Sequence, residues 1–271
     1  MVDTFDHHFI REIYEQPDGL RRTFSESGPT ADTLADELAG RIDRVVLVGC
    51  GDPHFISYAA ARAVEKFAGV PAKPVEGLEF ALYGGEVVNS RTLLIAASQS
   101  GKTIQVVQAL RQARKAGAFT LAVTNSPDSP VTKEAECVML TRCGLSLSFP
   151  TKTTTSALAL LSRLAVALGR SREHISPERA ITLLSELDAI PTHVETALGL
   201  EPRMKALVGE LSECQHFGFI GTGGPATKQH QTHILKTDHA GPRDQGTPVA
   251  PDDGRIGRPS PRLVAFFGPI R

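Results

Sequence analysis

An apolar run that passes directly into a hydroxyl-rich turn stands near the middle of the chain, at residues 91–116, RTLLIAASQSGKTIQVVQALRQARKA. Residues 91–97 carry apolar side chains on both faces, which is typical of a strand buried in a parallel sheet. Residues 103–116 place apolar side chains at every third position, and Gly117 is a natural helix stop. This segment therefore predicts a strand, a turn and a helix in succession.

The same order of elements recurs on both sides of this segment. Apolar runs predict further strands, and Ala-rich or Leu-rich patterns predict further helices; the strands fall at 45–48, 119–124 and 137–141, and the helices at 55–68 and 153–169. Strands and helices in alternation, joined by glycine-containing turns, predict an α/β fold with a doubly wound parallel sheet.

Two helical patterns precede the first strand, and more helices follow the last one. Residues 5–24 predict a charged helix broken by Pro17, and residues 30–43 predict a second helix with Thr30 or Asp32 as its N-cap. Residues 171–215 predict helices with polar joints at Ser176-Pro177 and Glu201-Pro202.

The composition excludes several broad classes of protein. The chain has 271 residues, which suits one large domain or two small ones, and its formal net charge of -1 predicts no general attraction to nucleic acid. No run of 18 apolar residues is present, and the first residues lack the apolar core of a signal peptide. Four scattered cysteines indicate a reduced, cytoplasmic setting rather than a disulfide scaffold.

The periodic pattern stops near Pro225. Seven of the 18 prolines lie in the last 47 residues, and only residues 263–267 there predict a strand. Just before this point, residues 217–224 repeat the strand-then-glycine pattern of residues 45–51, which indicates the start of a second α/β unit.

The turn Ser98-Gln99-Ser100-Gly101-Lys102-Thr103 is the sharpest candidate site. Hydroxyls, an amide and backbone N–H groups converge there at the start of a helix, and the helix dipole favours an anion such as a phosphate. The alternative interpretation is a capped helix, with Ser98 or Ser100 as N-cap.

A nucleotide-binding P-loop is a second alternative. Residues 96–103 read A-x-x-x-x-G-K-T, but the strict pattern requires glycine at Ala96, and the strand ending in Thr124-Asn125 offers no Asp for magnesium.

Other short segments offer weaker signals. Gly49, Cys50 and Gly51 follow the first strand and would let a ligand approach the backbone, and the Thr151 hydroxyl precedes the long helix at 153–169. His230, His233 and His239 lie in a segment without a helical pattern, so no metal site and no cofactor is predicted.

Several of these segments together resemble the sugar isomerase (SIS) family of phosphosugar-binding proteins. They are VVLVGCG at 45–51, LIAASQSGKT at 94–103, AVTN at 122–125 with Ser129-Pro130, and Thr151-Lys152. Residues 12–17, EIYEQP, look like the lead-in to the isomerase half of glucosamine-6-phosphate synthases and their fructosamine-6-phosphate deglycase relatives. The chain starts without a glutaminase domain, so amide nitrogen transfer is not expected.

The resemblance implies a five-stranded parallel sheet, in a chain that isomerises, deglycates or senses phosphorylated sugars as a homodimer or larger assembly. It implies that the sugar phosphate is held by Ser98, Gln99, Ser100 and Thr103, and that the sugar is lined by Gly49, Cys50, Gly51 and Thr151. A non-catalytic phosphosugar sensor is the alternative. Nucleic acid and membrane are not expected partners.

The resemblance also divides the chain. It implies a lead-in helix at residues 1–24, an SIS domain at 25–170, a helical connector at 171–215 and an incomplete or frame-shifted second SIS domain at 216–271. An intact relative uses a Glu for proton transfer between sugar carbons, followed by a His-Gly-Pro turn. Asp238 and His239 are at best remnants of these segments, so the catalytic residues are unknown.

Overall fold

Five parallel strands form the centre of the computed structural model, which describes residues 7–147 and 149–212. The strands are β1 (Arg44–Gly49), β2 (Ala72–Glu76), β3 (Thr92–Ala97), β4 (Phe119–Thr124) and β5 (Cys137–Leu140). Their order in the sheet is β2-β1-β3-β4-β5, with Val46 of β1 beside Leu94 of β3 and Leu94 beside Thr120 of β4. The predicted doubly wound α/β fold is confirmed.

The helices follow the strands along the chain. They are α1 (His8–Tyr14), α2 (Gln16–Leu38), α3 (Asp52–Ala63), α4 (Gly77–Tyr83), α5 (Ile104–Lys115), α6 (Pro130–Glu134), α7 (Lys152–Ser171), α8 (Pro177–Asp188), α9 (Ile190–Leu198) and α10 (Glu201–Leu211). A π-helical turn, Val64–Ala68, continues α3, and a 3₁₀ turn, Gly84–Val87, follows α4.

The sheet separates two apolar cores. Alternate residues of β1 and β3 point to opposite faces, so Leu47 and Ile95 enter one core while Val48 and Leu94 enter the other. Helices α2, α3 and α7 cover the first face, and α4, α5 and α6 cover the second. Strands buried on both faces read as continuous apolar runs, which is why the sequence predicted four of the five strands.

Strand β2 was not predicted from its own sequence. It carries Lys73 and Pro74, and proline is depleted in strands because it lacks a backbone donor. Here β2 is an edge strand that pairs only with β1 among the described strands, with Pro74 beside Leu47. An edge position tolerates the missing N–H group.

The predicted second helix at 30–43, capped by Thr30 or Asp32, is wrong. Helix α2 runs without interruption from Gln16 through Pro29 to Leu38, and it crosses residues 24 and 25, where the sequence divided lead-in from domain. An internal proline costs about 3 kcal/mol, whereas each large apolar side chain that is buried contributes about 1.5–3 kcal/mol. The buried side chains of α2 lie on both sides of Pro29, at Leu20, Phe24, Leu34 and Leu38.

The helices after α7 begin at the predicted joints. Ser176 caps α8 by accepting a hydrogen bond from the amide of Arg179 at 3.2 Å, and Glu201 opens α10. Within residues 7–147 and 149–212, no helix has the length and apolar character needed to cross a membrane. The expected strands at 217–220 and 263–267, and every expectation for residues 216–271, lie outside the described residues.

Candidate functional site

The candidate site lies between β1 and β3, where the order in which the chain adds strands to the sheet reverses. The chain leaves β1 toward β2 on one side, and it leaves β3 toward β4 on the other, so the turns after β1 and β3 diverge at the carboxyl edge. In open α/β sheets, ligands bind in the crevice at this switch point. The turn Ser98–Thr103 follows β3 and opens α5 at this edge.

This turn is closed by its own hydrogen bonds. The Ser98 hydroxyl lies 3.1 Å from the Thr103 hydroxyl and accepts the Gly101 amide at 3.1 Å. The Gln99 carbonyl accepts the Asn125 amide and the Thr124 hydroxyl, each at 3.1 Å. The turn is therefore held both internally and by the end of β4.

Gly101 is required by the geometry of the turn. Its φ of 64° lies in the left-handed region that disfavours residues with a Cβ. A side chain there would also overlap Ser129, which precedes α6, and the Gly101 carbonyl accepts the Val131 amide at 3.1 Å. The turn thus packs against the start of α6 without space for a larger residue.

The outer surface of the turn is suited to an anion. Ser100 and Lys102 are exposed, Thr103 is partly exposed, and the first turn of α5 contains no acidic residue. The first amides of a helix lack intrahelical acceptors, and the dipole places partial positive charge there. Hydroxyls, amides and an ammonium group therefore lie together here, with no acidic residue in the first turn of α5.

A cavity of about 20 Å³ lies inside the turn, between β3, β4 and the start of α7. Its volume suits one water molecule and excludes a hexose. Its polar walls come from Ser98, Gln99, Thr124, Asn125, Thr141, Thr153 and Thr154, and its apolar walls from Pro53, Ile56, Ala97, Val123, Pro150 and Ala157. None of these lining residues is titratable.

The amino end of α7 brings further hydroxyls to this cavity. Thr153 lines the cavity and is 3% exposed, and its hydroxyl has no hydrogen-bond partner among the described residues. The same holds for the hydroxyl of Thr151, which occupies the N-cap position of α7 without making a capping bond. A buried hydroxyl without a partner is unfavourable, so both groups are available to a ligand or a water molecule.

The glycines at the end of β1 and just after it allow a close approach between strand and helix. A Cβ on Gly49 would lie 2.7 Å from the backbone of Pro53, at the start of α3. Gly51 has a φ of 62° and caps α3, and its carbonyl accepts the His54 amide at 3.0 Å. Both glycines set the position of α3, whose Pro53 and Ile56 line the cavity.

Cys50 faces away from the cavity, toward β2 and α4. Its sulfur lies 2.5 Å from the position that a Cβ on Gly77 would take. Burial, followed by the neighbouring carboxylate of Glu76, raises the pKa of Cys50 to about 11. A thiol held neutral in this way is a poor nucleophile.

The structure thus brings some of the predicted site residues together and separates others. Ser98 and Gln99 line the cavity, Ser100 and Thr103 lie on the outer surface of the same turn, and Thr151 stands beside the cavity-lining Thr153. Cys50 lies on the β2 side.

The sequence analysis missed several cavity residues outside the two glycine-containing turns, namely Pro53, Ile56, Asn125, Thr141 and Thr153. The available signal was position: Asn125 and Thr141 each follow directly after a strand, at the edge where all parallel strands end.

The P-loop alternative finds no support in this geometry. Ala96 is a fully buried residue of β3, so the turn begins at Ser98 and contains Gly101 as its single glycine. A phosphate-wrapping loop would need more glycine and more length. The residues that the structure describes contain no group of His, Cys, Asp or Glu side chains arranged for a metal ion, and His230, His233 and His239 lie outside them.

Comparison with known proteins agrees with the fold. Residues 40–167 match the family described as SIS domain. The chain is 34% identical over 223 residues to the isomerizing glutamine–fructose-6-phosphate aminotransferase of Thermus thermophilus, and 34% identical over 220 residues to that of Methanothermobacter thermautotrophicus. The matches cover 80% and 81% of this chain but only 37% and 35% of those relatives.

Solved structures give the same result. The C-terminal domain of glucosamine-fructose-6-phosphate aminotransferase from Francisella tularensis superposes with a TM-score of 0.78 at 25% identity, over 84% of this chain and 66% of that one. A glucosamine-6-phosphate deaminase from Thermotoga maritima superposes with a TM-score of 0.63 at 20% identity, over 82% of this chain and 64% of that one, and shows the fold alone. Residues 40–167 of this chain belong to the SIS domain family.

Proposed function

We propose that the chain binds a phosphorylated sugar, with the phosphate held on the outer surface of the turn Ser98–Thr103. One observation carries the proposal: Ser100 and Thr103 present hydroxyls at the amino end of α5, beside the Lys102 ammonium and with no acidic residue in the first helical turn. Hydrogen bonds from hydroxyls and amides to a charged phosphate are the strong kind.

The sugar itself lies outside the small inner cavity in this proposal. A volume of about 20 Å³ has no room for a hexose, so the sugar extends from the turn across the carboxyl edge of the sheet. The two sides of that crevice are the start of α3, positioned by Gly49 and Gly51, and the start of α7, with Thr151. The chain resembles aminotransferases that are named for fructose 6-phosphate, which supports a sugar 6-phosphate as the ligand.

The residues of the candidate site support phosphosugar binding more strongly than they support catalysis. None of the residues that line the cavity can act as a general acid or base, and an aldose–ketose isomerisation requires one near the sugar carbons. A second candidate function is a phosphosugar-binding protein without turnover. An isomerase or deglycase of the fructosamine type would need its base from residues other than those that line this cavity.

The organisation and setting of the chain form part of the same proposal. We propose an SIS domain at 25–170 followed by a helical connector that starts at residue 171, in a homodimer or larger assembly. The free thiols of Cys50, Cys137 and Cys143 support a reducing, cytoplasmic location.

Thermal-shift measurements test the proposed function. Fructose 6-phosphate should raise the midpoint of thermal unfolding in proportion to its occupancy, while fructose and inorganic phosphate at the same concentration should have smaller effects. Stabilisation by ATP–Mg²⁺ alone would overturn the proposal. Stabilisation by fructose 6-phosphate, together with no change in the sugar by NMR, would select the non-catalytic role.

A further inference from the structure

The segment between β5 and α7 borders the candidate site without regular structure of its own. Its described residues, 141–147 and 149–151, form neither helix nor strand. Three large apolar side chains in it are exposed, at Leu145, Leu147 and Phe149. Cys143 is fully buried near the start of the segment, but burial of these three larger side chains does not hold the rest of it in place.

A buried carboxylate from the amino end of the chain holds the middle of the segment. Glu12 of α1 is 0% exposed. Its two carboxylate oxygens accept hydrogen bonds from the Ser146 hydroxyl at 2.7 Å and from the Leu147 amide at 2.5 Å. A buried ionised carboxylate is unfavourable unless such donors compensate it, so the position of the segment and that of Glu12 depend on each other.

A buried ammonium group holds the end of the segment. Lys152 is 2% exposed, and its Nζ donates to a carboxylate oxygen of Glu15 at 2.5 Å and to the Leu145 carbonyl at 2.6 Å. Lys152 is the first residue of α7, where the helix dipole disfavours a cation. The Lys152 ammonium therefore does not stabilise α7. Instead, Lys152 connects the segment to Glu15, the residue between α1 and α2.

Both contacts bear directly on the candidate site. Pro150, in the same segment, and Thr153, one residue after Lys152, line the cavity together with Ser98 and Gln99. We propose that Glu12 and Lys152 are positioning residues, which fix residues 144–151 and the amino end of α7 as a wall of the phosphosugar site. This inference rests on the proposed function for its ligand but not for the position of the segment.

A fluorescent reporter can observe the segment with and without ligand. The chain contains no tryptophan, so Phe149→Trp introduces a single indole within the segment, on an exposed side chain that packs edge-on against Phe9 with ring centres 6.4 Å apart. In that background, Glu12→Gln and Lys152→Met each remove one buried charge. Glu26→Gln is the matched control, since its carboxylate forms an exposed ion pair with Arg142 at 3.2 Å, near the start of the segment and away from residues 144–151.

The expected results separate positioning from general stability. Glu12→Gln and Lys152→Met should increase acrylamide quenching of the indole and weaken fructose 6-phosphate binding in calorimetry by about tenfold, the scale of one lost charged hydrogen bond. Glu26→Gln should change neither quantity. If the variants lower the unfolding midpoint but leave quenching and affinity unchanged, the two residues are only structural and the proposal is overturned.

Failure of the two proposals is distinguishable. If the parent protein binds no fructose 6-phosphate, the proposed function fails, and unchanged quenching would then overturn the positioning role independently. Increased quenching with unchanged affinity would show that the segment is not a wall of the site. If Glu12→Gln does not fold, Ser146→Ala, which removes one of the hydrogen bonds to Glu12, provides the same readouts.

Discussion

The Ser98 hydroxyl lies 3.1 Å from the Thr103 hydroxyl, and the two residues stand at opposite ends of the turn that joins β3 to α5. Ser98 is buried and also accepts the Gly101 amide, whereas Ser100 is exposed between them. Within one short turn, the buried Ser98 hydroxyl thus contacts both Thr103 and Gly101, whereas the hydroxyl of the exposed Ser100 accepts the Lys102 amide at a longer 3.3 Å.

We predict that Ser98→Ala and Ser100→Ala affect stability differently. Loss of the buried Ser98 hydroxyl leaves the Gly101 amide without one of its acceptors and should lower the free energy of unfolding by about 1–2 kcal/mol. Ser100→Ala is the matched control and should change it by less than about 0.5 kcal/mol, as surface substitutions do. Urea denaturation measures both, and equal effects would contradict the assigned division of roles.

Gly101→Ala should be among the most disruptive glycine substitutions in the SIS domain. It combines a positive φ with overlap on Ser129, and left-handed strain alone costs about 1–3 kcal/mol. Gly117→Ala is the control, because Gly117 has a φ of 79° but its nearest obstacle is Ser90 at 3.8 Å. Chemical denaturation should show a larger loss in the free energy of unfolding for Gly101→Ala than for Gly117→Ala. An equal or smaller loss would show that Ser129 moves aside without destabilising the protein.

Cys50 should react slowly with iodoacetamide. With a pKa of about 11, roughly one molecule in a thousand carries the thiolate at pH 8. Because the Glu76 carboxylate contributes to the raised pKa of Cys50, Glu76→Gln should increase the alkylation rate of Cys50 several-fold. Peptide mapping by mass spectrometry measures each thiol separately, and Cys137, whose pKa is raised mainly by burial, is the internal control. An unchanged Cys50 rate would remove Glu76 as a cause.

Glu76 should also make stability depend on pH. Burial raises the pKa of Glu76, but hydrogen bonds from the Cys50 thiol and from the amides of Glu79 and Leu78, with the nearby His54, outweigh burial and lower it overall. A carboxyl whose pKa is lowered by folding stabilises the protein above its unfolded pKa, and this contribution is lost as the pH falls through the folded pKa.

Glu76→Gln keeps an acceptor for the amides at the start of α4 but removes the charge. Its stability deficit should therefore be largest near pH 7 and should shrink below about pH 4.5, the region where glutamate ordinarily titrates. Urea denaturation of both proteins across this range measures the deficit. A constant deficit at all pH values would contradict the assignment.

The sequence correctly predicted the elements that depend on a short-range pattern of residues. Four strands and the turn at residues 98–103 follow from apolar runs and glycine positions, because buried parallel strands and helix starts have local signatures. Strand β2 has no such signature, since Pro74 is tolerated only by its place at the edge of the sheet. The uninterrupted α2 was missed because burial on both sides of Pro29 outweighs a local rule.

The candidate site divides in the same way. Ser98, Gln99, Ser100 and Thr103 are neighbours in sequence and were found together. The contacts of Glu12 with Ser146 and Leu147, and of Lys152 with Glu15, join residues more than 130 positions apart. Hydrogen bonds over such separations leave no periodic trace, and only the folded chain brings these residues to the site.

Calorimetric titration of fructose 6-phosphate into the parent protein and the Ser100→Ala/Thr103→Ala variant tests the phosphate site most directly. The parent should bind, and the double variant should bind more weakly by about 1–3 kcal/mol, the scale of lost hydrogen bonds to a charged group. Ser25→Ala/Thr33→Ala, which removes exposed hydroxyls from α2, should bind as the parent does. Equal affinity of the parent and the Ser100→Ala/Thr103→Ala variant would contradict the assignment of the phosphate to this turn.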